Sequence, residues 1–376
     1  MTSQTTSGKD TSRHPCFNVR AKGSCGRVHL PVAPKCNIQC NFCNRRYDCV
    51  NESRPGVTSA VLSPAQAVRY MDRVLEAEPR ITVAGIAGPG DPMANARESL
   101  ETMRRLNDKY PHLLFCLSSN GLHLAPYLDD LAAVGVSHVT VTVNAVDPAI
   151  GERIYAWVRD GKVLYRGREA AALLLERQLA AIQGLKARGM VVKVNSIVIP
   201  GVNDLHLEDV ARTVAALGAD LHNCMALKPN ADTAFGHLQE PDQKAVEAIR
   251  KTTEQHLPQM RHCKRCRADA VGLLDKDRSA ELGCCLSDCA KASLPLDEER
   301  PHVAVASQEG LLVNQHLGEA RRFHIWTRDA GGAFRLLEER PVDGPGGGPR
   351  RWQALARTLR DCRALLCAEA GPTPTA

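Results

Sequence analysis

Aromatic residues are scarce in this 376-residue chain: 3 Trp, 6 Tyr and 6 Phe make up 4% of it. Any core must therefore be built mainly from Ala, Val, Leu and Ile. No stretch approaches the ~18 uninterrupted apolar residues of a membrane-spanning helix, which argues against a helical membrane protein. Neither sign of charge dominates, with 48 Lys and Arg against 42 Asp and Glu and a formal net charge of +6. That surplus is too mild on this length to point to nucleic acid or an anionic lipid surface. The opening MTSQTTSGKDTSRHP holds no apolar segment of the secretory type, so the expected location is the cytoplasm. Wholesale disorder is excluded as well, because 44% of the residues are hydrophobic.

Cysteine is what the chain has in excess. Fifteen Cys is an odd number, too many for an ordinary cytoplasmic enzyme and too dilute for a small disulfide scaffold. In a reducing compartment such a surplus holds metal or does thiol chemistry.

Residues 1–14 read as a disordered tail, 15–280 as a large α/β core, 281–300 as a linker and 301–376 as a small C-terminal α/β domain with a tail. In the core, strand candidates at 28–33, 81–87, 113–118, 138–143, 191–199 and 220–227 alternate with helical stretches. The first helix is introduced by Ser63-Pro64, an N-cap followed by Pro. The others are expected at 95–109, 125–134, 148–157 with 169–188, 204–217 and 242–255. Six strand–helix units imply right-handed parallel crossovers. They are too few to close an eight-stranded barrel, so an open, partial (βα)6 TIM-like barrel is expected, although a doubly wound sheet fits the same periodicity. Either architecture puts the ligand site at the carboxyl ends of the strands.

Cys36-Asn-Ile-Gln-Cys40-Asn-Phe-Cys43 is a C-x3-C-x2-C triplet in the loop after the first strand. Three thiolates there can hold three corners of a cubane [4Fe–4S] cluster, whose full protein ligation takes four Cys. The fourth iron is then open to a small molecule, as in catalytic rather than structural metal sites. A zinc knuckle is the competing reading, but zinc favours four closed ligands. Gly88-Pro89-Gly90-Asp91-Pro92 follows the second strand, where a backbone without side chains lets a ligand come close. Ser118, Ser119 and Asn120 end the third strand and Asn144 the fourth; they either bond polar ligand groups or cap strand ends.

Beyond the triplet, Cys16, Cys49, Cys116 and His29 lie in the barrel region, with Cys49 just past the cluster loop and Cys116 near a strand end. Mixed Cys/His ligation of iron–sulfur clusters is chemically sound; the plain alternatives are a buried small hydrophobe for Cys116 and an ordinary histidine for His29. Cys25 is an extra thiol nearby. Cys263-Lys-Arg-Cys266 alone reads as half a zinc site or a redox pair. Cys284, Cys285 and Cys289 are further ligands or linker thiols, and Cys224, Cys362 and Cys367 are expected to pack as apolar residues. Arg45, Arg46, Lys264, Arg265 and Arg267 flank the motifs, offsetting cluster charge or forming a solvated basic face. Glu52 is a proton carrier, an iron ligand or a surface carboxylate.

The triplet after the first strand of a six-unit barrel resembles the radical S-adenosylmethionine family. The stretches HLPVAPKCNIQCNFCNRRYDCVNESRPGVTS (29–59) and RHCKRCRADAVGLLDKDRS (261–279) resemble, more narrowly, the members of that family that make the nitrogenase iron–molybdenum cofactor. The likeness runs over about 14–279. It implies a [4Fe–4S] cluster on Cys36, Cys40 and Cys43, with Glu52 beside it in the catalytic set. It further implies S-adenosylmethionine on the open iron, against Gly88, Pro89, Gly90, Asp91, Ser119, Asn120 and Asn144. Cys16, His29, Cys49 and Cys116 would hold one auxiliary [4Fe–4S] cluster, and Cys263 with Cys266 would help hold a second, one or both being consumed as substrate. The implied reaction, of lyase or transferase type, fuses two clusters into an eight-iron, carbide-centred precursor whose carbon comes from the S-adenosylmethionine methyl group. Implied partners are iron–sulfur cluster donors, a low-potential electron donor such as ferredoxin, and downstream nitrogenase cofactor carrier or scaffold proteins, with no nucleic acid and no membrane. HVAVASQEGLLVNQHLGEARRFHIW resembles the small carrier domain of nitrogenase-cofactor binding proteins, short of a final strand–helix portion, with His316 either a cofactor contact or a loop histidine without a role. Two other readings compete: a radical enzyme with auxiliary clusters acting on a peptide or nucleotide-derived substrate, and a non-catalytic cluster scaffold.

Overall fold

The computed structural model describes residues 9–44, 57–292, 300–329 and 332–371. It divides into two units, Met1–Ala292 and Ser293–Ala376, each taken by itself below.

In the first unit the strands are β1 (Gly26–His29), β2 (Ile38–Cys40), β3 (Ile81–Ile86), β4 (Leu114–Ser119), β5 (Val136–Thr142), β6 (Tyr155–Asp160), β7 (Val163–Tyr165), β8 (Val191–Val198), β9 (Leu221–Ala226) and β10 (Val271–Gly272). The helices are α1 (Pro64–Ala77), α2 (Ala96–Lys109), α3 (Leu128–Ala133), α4 (Pro148–Ile154), α5 (Gly167–Ala187), α6 (Leu207–Ala216), α7 (Gln243–Thr253) and α8 (Ser279–Lys291). One sheet runs β10-β1-β3-β4-β5-β8-β9. Its six main strands pair in parallel, and β10 is antiparallel to β1. The result is the expected curled half-barrel. All six residues of β3 are buried, as in a parallel strand covered on both faces. The first helix begins as its cap predicts: Ser63 Oγ accepts from Gln66 N, and Gln66 Oε1 accepts from Ser63 N.

Three expectations change. The helix expected to reach 157 stops at Ile154, and the chain turns into the hairpin β6–β7, which joins β2 in a second sheet, β2-β6-β7. Tyr155 and Val158 are buried there, a three-residue spacing that a helical turn would also give; it is the pairing of Ile38 with Val158 and Cys40 with Tyr155 that makes the chain extended. The segment expected as linker from 281 is instead helical through Lys291. Leu282, Leu286 and Cys289 form its buried stripe, and the Gln66 side chain donates to the Ala290 and Ala292 carbonyls. The tail expected to be disordered through 14 is ordered from Lys9, whose Nζ donates to Asn107 Oδ1 and the Leu113 carbonyl.

The second unit is a four-stranded sheet in the order β13-β12-β11-β14, formed by β11 (His302–Val305), β12 (Arg322–Arg328), β13 (Phe334–Pro341) and β14 (Cys362–Leu366). Helix α9 (Gly348–Thr358) contributes Leu355 to a core with Phe323 and Ile325. Among the described residues no helix is long and apolar enough to cross a membrane.

Two buried histidines of the first unit make the fold acid-sensitive. Burial lowers His222 to about 4 and His138 to about 3, against ~6.5 in an unfolded chain. A histidine held below its unfolded pKa contributes its full stability above 6.5 and loses it as pH falls toward the folded value. Between pH 7 and 5 each loses about 2 kcal/mol. The thermal midpoint is expected to fall over that interval, and His222→Phe to reduce the fall. Parallel pH profiles for the two proteins would contradict this account.

Candidate active site

The triplet is built on an edge strand. Cys36 precedes β2, Cys40 ends it, and Cys43 lies in the turn beyond. The antiparallel partner β6 fixes the strand, pairing Gln39 with Trp157 and Cys40 with Tyr155. Gln39 Nε2 donates to the Cys40 and Cys43 carbonyls at 2.9 and 2.8 Å, closing the turn. The three half-buried thiols line one cavity. Asn120 Nδ2 stands 3.9 Å from Cys36 Sγ and donates to Asn37 Oδ1 at 2.7 Å.

Pro89, Gly90, Asp91, Ser119, Asn120 and Asn144 line the same cavity; Gly88 is not among its walls. The glycine turn is stitched to the run leading into Cys36. Gly90 N donates to the Ala33 carbonyl at 2.6 Å and Asp91 N to the Lys35 carbonyl at 2.8 Å. A Cβ on Gly90 would overlap that Lys35 carbonyl, so the close approach requires glycine.

The polar residues expected to meet a cofactor, Asp91, Ser119, Asn120 and Asn144, all have their side chains engaged within the protein. The buried Asp91 carboxylate accepts from Met93 N, Ser119 Oγ and Asn120 N at 2.8, 2.9 and 2.6 Å. Desolvation raises its pKa against the pull of those donors. Asn144 Oδ1 accepts from Ile197 N, and its Nδ2 donates to Tyr155 Oη. Asp91 and Asn144 hold neighbouring strand ends in register.

A second cavity gathers Cys16, His29, Cys116, Cys263 and Cys266, residues that the sequence presents as two separate motifs. Cys116 and His29 converge over Gly85: a Cβ there would lie 2.7 Å from Cys116 Sγ and 3.4 Å from His29 Cδ2. His29 Nδ1 is 2.8 Å from the Arg267 carbonyl. A carbonyl only accepts, so Nδ1 carries the proton and Nε2 keeps its lone pair for a metal. Burial lowers His29 to about 4, which keeps the ring neutral. Burial raises the Cys16 thiol to about 11 and Cys116 to about 12. They would ionise on binding a cation such as cluster iron. Arg27 bridges Cys266 Sγ at 3.1 Å and Asp277 Oδ2 at 2.7 Å, and Asn223 Nδ2 lies 3.4 Å from Cys263 Sγ. Four thiols and an available imidazole nitrogen are donors suited to iron–sulfur ligation. Among the described residues no three His, Cys, Asp or Glu side chains close on a single metal ion; the thiols stand around two spaces. Those spaces share Ala87, Ser118, Asn195, Met225 and Arg265 as walls.

Cys49, Glu52, Arg45 and Arg46 lie outside the described residues. Cys25, Cys284, Cys285 and Cys289 line neither cavity. Cys224 is buried in the core beside His222, and Cys362 and Cys367 pack against the core of the small unit. His316 Nδ1 accepts from Gly318 N. Arg267 is committed to a buried pair with Asp269 at 2.7 Å, so its charge is matched within the protein. Sequence reasoning missed Arg27, Lys193, Asn195 and Asn223. The signal was present in β8, where Lys193 and Asn195 interrupt VVKVNSIV, an apolar run typical of a buried parallel strand.

Residues 30–214 match the Radical SAM superfamily, and residues 300–376 match the family described as Dinitrogenase iron-molybdenum cofactor. The FeMo cofactor biosynthesis protein NifB of Chlorobaculum tepidum is 53% identical over 362 residues, covering 96% of this chain and 85% of that protein. NifB of Klebsiella pneumoniae is 40% identical over 392 residues, covering 96% and 84%. With a triplet, a half-barrel and near full-length relatives in agreement, the chain belongs to the NifB family of the radical SAM superfamily.

Proposed function

We propose that this chain carries out the carbide-forming step of nitrogenase cofactor biosynthesis, fusing two [4Fe–4S] clusters into an eight-iron precursor around a carbon taken from the methyl group of S-adenosylmethionine. The observation that carries the reading is the common wall of the two cavities, since methyl carbon can enter a cluster substrate only if the two are held in contact. Cys36, Cys40 and Cys43 would hold the resident cluster, which together with S-adenosylmethionine supplies a 5′-deoxyadenosyl radical. The backbone of Pro89 and Gly90 and the strand end at Ser119 and Asn120 form the wall against which the nucleotide would lie. Cys16, His29 and Cys116, with Cys49, would hold one cluster substrate, and Cys263 with Cys266 the other. Ile38, Phe42, Ile197 and Leu227 line the first cavity and exclude water from it. The partners proposed are cluster donors, a low-potential electron donor and cofactor carriers.

The test is anaerobic turnover of the full chain with dithionite and methyl-labelled S-adenosylmethionine. Label is expected in an acid-extractable iron–sulfur product. Formation of 5′-deoxyadenosine without labelled cluster would favour a radical enzyme with another substrate. Absence of 5′-deoxyadenosine above blank would favour a scaffold.

A further inference from the structure

The second cavity holds a cation that no motif announces. Lys193 on β8 lines it and is only 7% exposed. Its Nζ stands 4.7 Å over the Phe17 ring and 3.7 Å from Met260 Sδ. Among the described residues no carboxylate lies within ion-pair distance of it. A buried ammonium is costly unless it meets an anion. An iron–sulfur cluster held by the cavity's thiolates is such an anion.

A second donor stands on the same wall. His14 is 1% exposed and lines the cavity. Its Nδ1 accepts from Cys16 N at 3.2 Å, so the ring proton sits on Nε2, a buried N–H with no partner among the described residues. The Phe17 ring touches both groups: its centroid lies 4.6 Å from that of the His14 ring and 4.7 Å from Lys193 Nζ. Neither group has a lone pair to offer iron: the ammonium has none, and the His14 lone pair is taken by Cys16 N–H. Both can donate to an inorganic sulfide.

Resting on the reading that this cavity takes an iron–sulfur substrate, we propose that Lys193 and His14 form an outer-sphere donor pair for that cluster. Lys193 offsets its negative charge and His14 Nε2–H bonds one of its sulfides, while Cys16, His29 and Cys116 do the ligating. Such a pair has a signature that a packing role does not. Charge and hydrogen bonds around a cluster set its reduction potential, and removing a nearby cation makes the cluster harder to reduce.

The experiment uses the full chain with Cys36, Cys40 and Cys43 all changed to Ala, so that signals come from the auxiliary sites alone. This parent is reconstituted anaerobically with iron and sulfide and titrated by electron paramagnetic resonance. It is expected to bind iron and sulfide and give a reducible signal; a parent that binds neither overturns the functional reading itself. In the same background Lys193→Met is expected to lose iron on gel filtration. Its remaining cluster should be at least tenfold harder to reduce, a fall of about 59 mV for one electron. Lys193→Arg should restore the parent potential, and His14→Phe should shift it in the same direction as Lys193→Met by a smaller amount. Iron loss with an unshifted potential would mean a packing role and overturn the donor pair. Parent-like potential and iron in Lys193→Met would do the same. If Lys193→Met fails to fold by circular dichroism, the His14→Phe potential decides: a negative shift supports the pair, and none overturns it.

Discussion

Cys43→Ala is expected to bring 5′-deoxyadenosine formation down to the blank, whereas Cys263→Ala should retain part of that activity while yielding no eight-iron product. The contrast follows from which space each thiol faces. Cys43 shares the first cavity with Cys36 and Cys40. Two thiolates in place of three would leave a second corner of a cubane without protein ligation, and cluster and nucleotide site would be lost together. Cys263 lines the second cavity and not the first. Its Sγ accepts from Arg265 N at 3.4 Å and lies within reach of Asn223, so its loss disturbs the substrate side. Some fall in cleavage is still expected from Cys263→Ala, because Arg265 belongs to both walls. Chromatographic quantitation of 5′-deoxyadenosine, run beside extraction of the cluster product, checks the division. Equal loss of cleavage in the two variants would contradict it.

The barrel was legible because parallel strands covered on both faces are written as continuous runs. Val83, Ala84 and Ile86 in β3, and Val139 and Val141 in β5, are all buried, and such runs announce themselves without knowledge of their partners. Periodicity failed where a helix runs directly into a strand. PAIGERIYAW continues a helical pattern past Ile154, and only the pairing of β6 with the cluster loop makes Tyr155 extended. It failed again in α8, where three cysteines obscured an ordinary amphipathic stripe of Leu282, Leu286 and Cys289.

In the site, local spacing revealed the triplet because its three thiols fall in one short segment, 36–43. The meeting of Cys16 and Cys116 with Cys263 and Cys266 depends instead on a long-range return of the chain. Strand β10 pairs antiparallel with β1, and Arg27 reaches across to Cys266 and Asp277. No short-range rule encodes that closure. The engagement of Asp91 and Asn144 was hidden for the same reason: their donors, Asn120 N and Ile197 N, lie 29 and 53 residues away in the chain.

Gly90→Ala should be the most damaging single methyl group in this site. The added carbon has no free direction, because it falls on the Lys35 carbonyl and close to that of Ala33. The backbone on both sides is tied: Gly90 N to Ala33, Asp91 N to Lys35, and Asn95 Nδ2 to both the Lys35 and Asp91 carbonyls. Overpacking of this kind costs about 1–3 kcal/mol, and relief requires the turn to part from the run that leads into Cys36. Cys36 would then move relative to Asn120, and the nucleotide wall relative to the cluster. A displacement of about 1 Å at a reacting centre can cost about a hundredfold in rate. S-adenosylmethionine cleavage is therefore expected to fall by at least about tenfold, with a lower thermal midpoint. Gly23→Ala is the matched control, since a Cβ there meets nothing within 4 Å, and it should leave both measurements unchanged within error. If Gly90→Ala cleaves S-adenosylmethionine as fast as Gly23→Ala and melts at the same temperature, the turn is not what holds the cluster loop against the nucleotide wall.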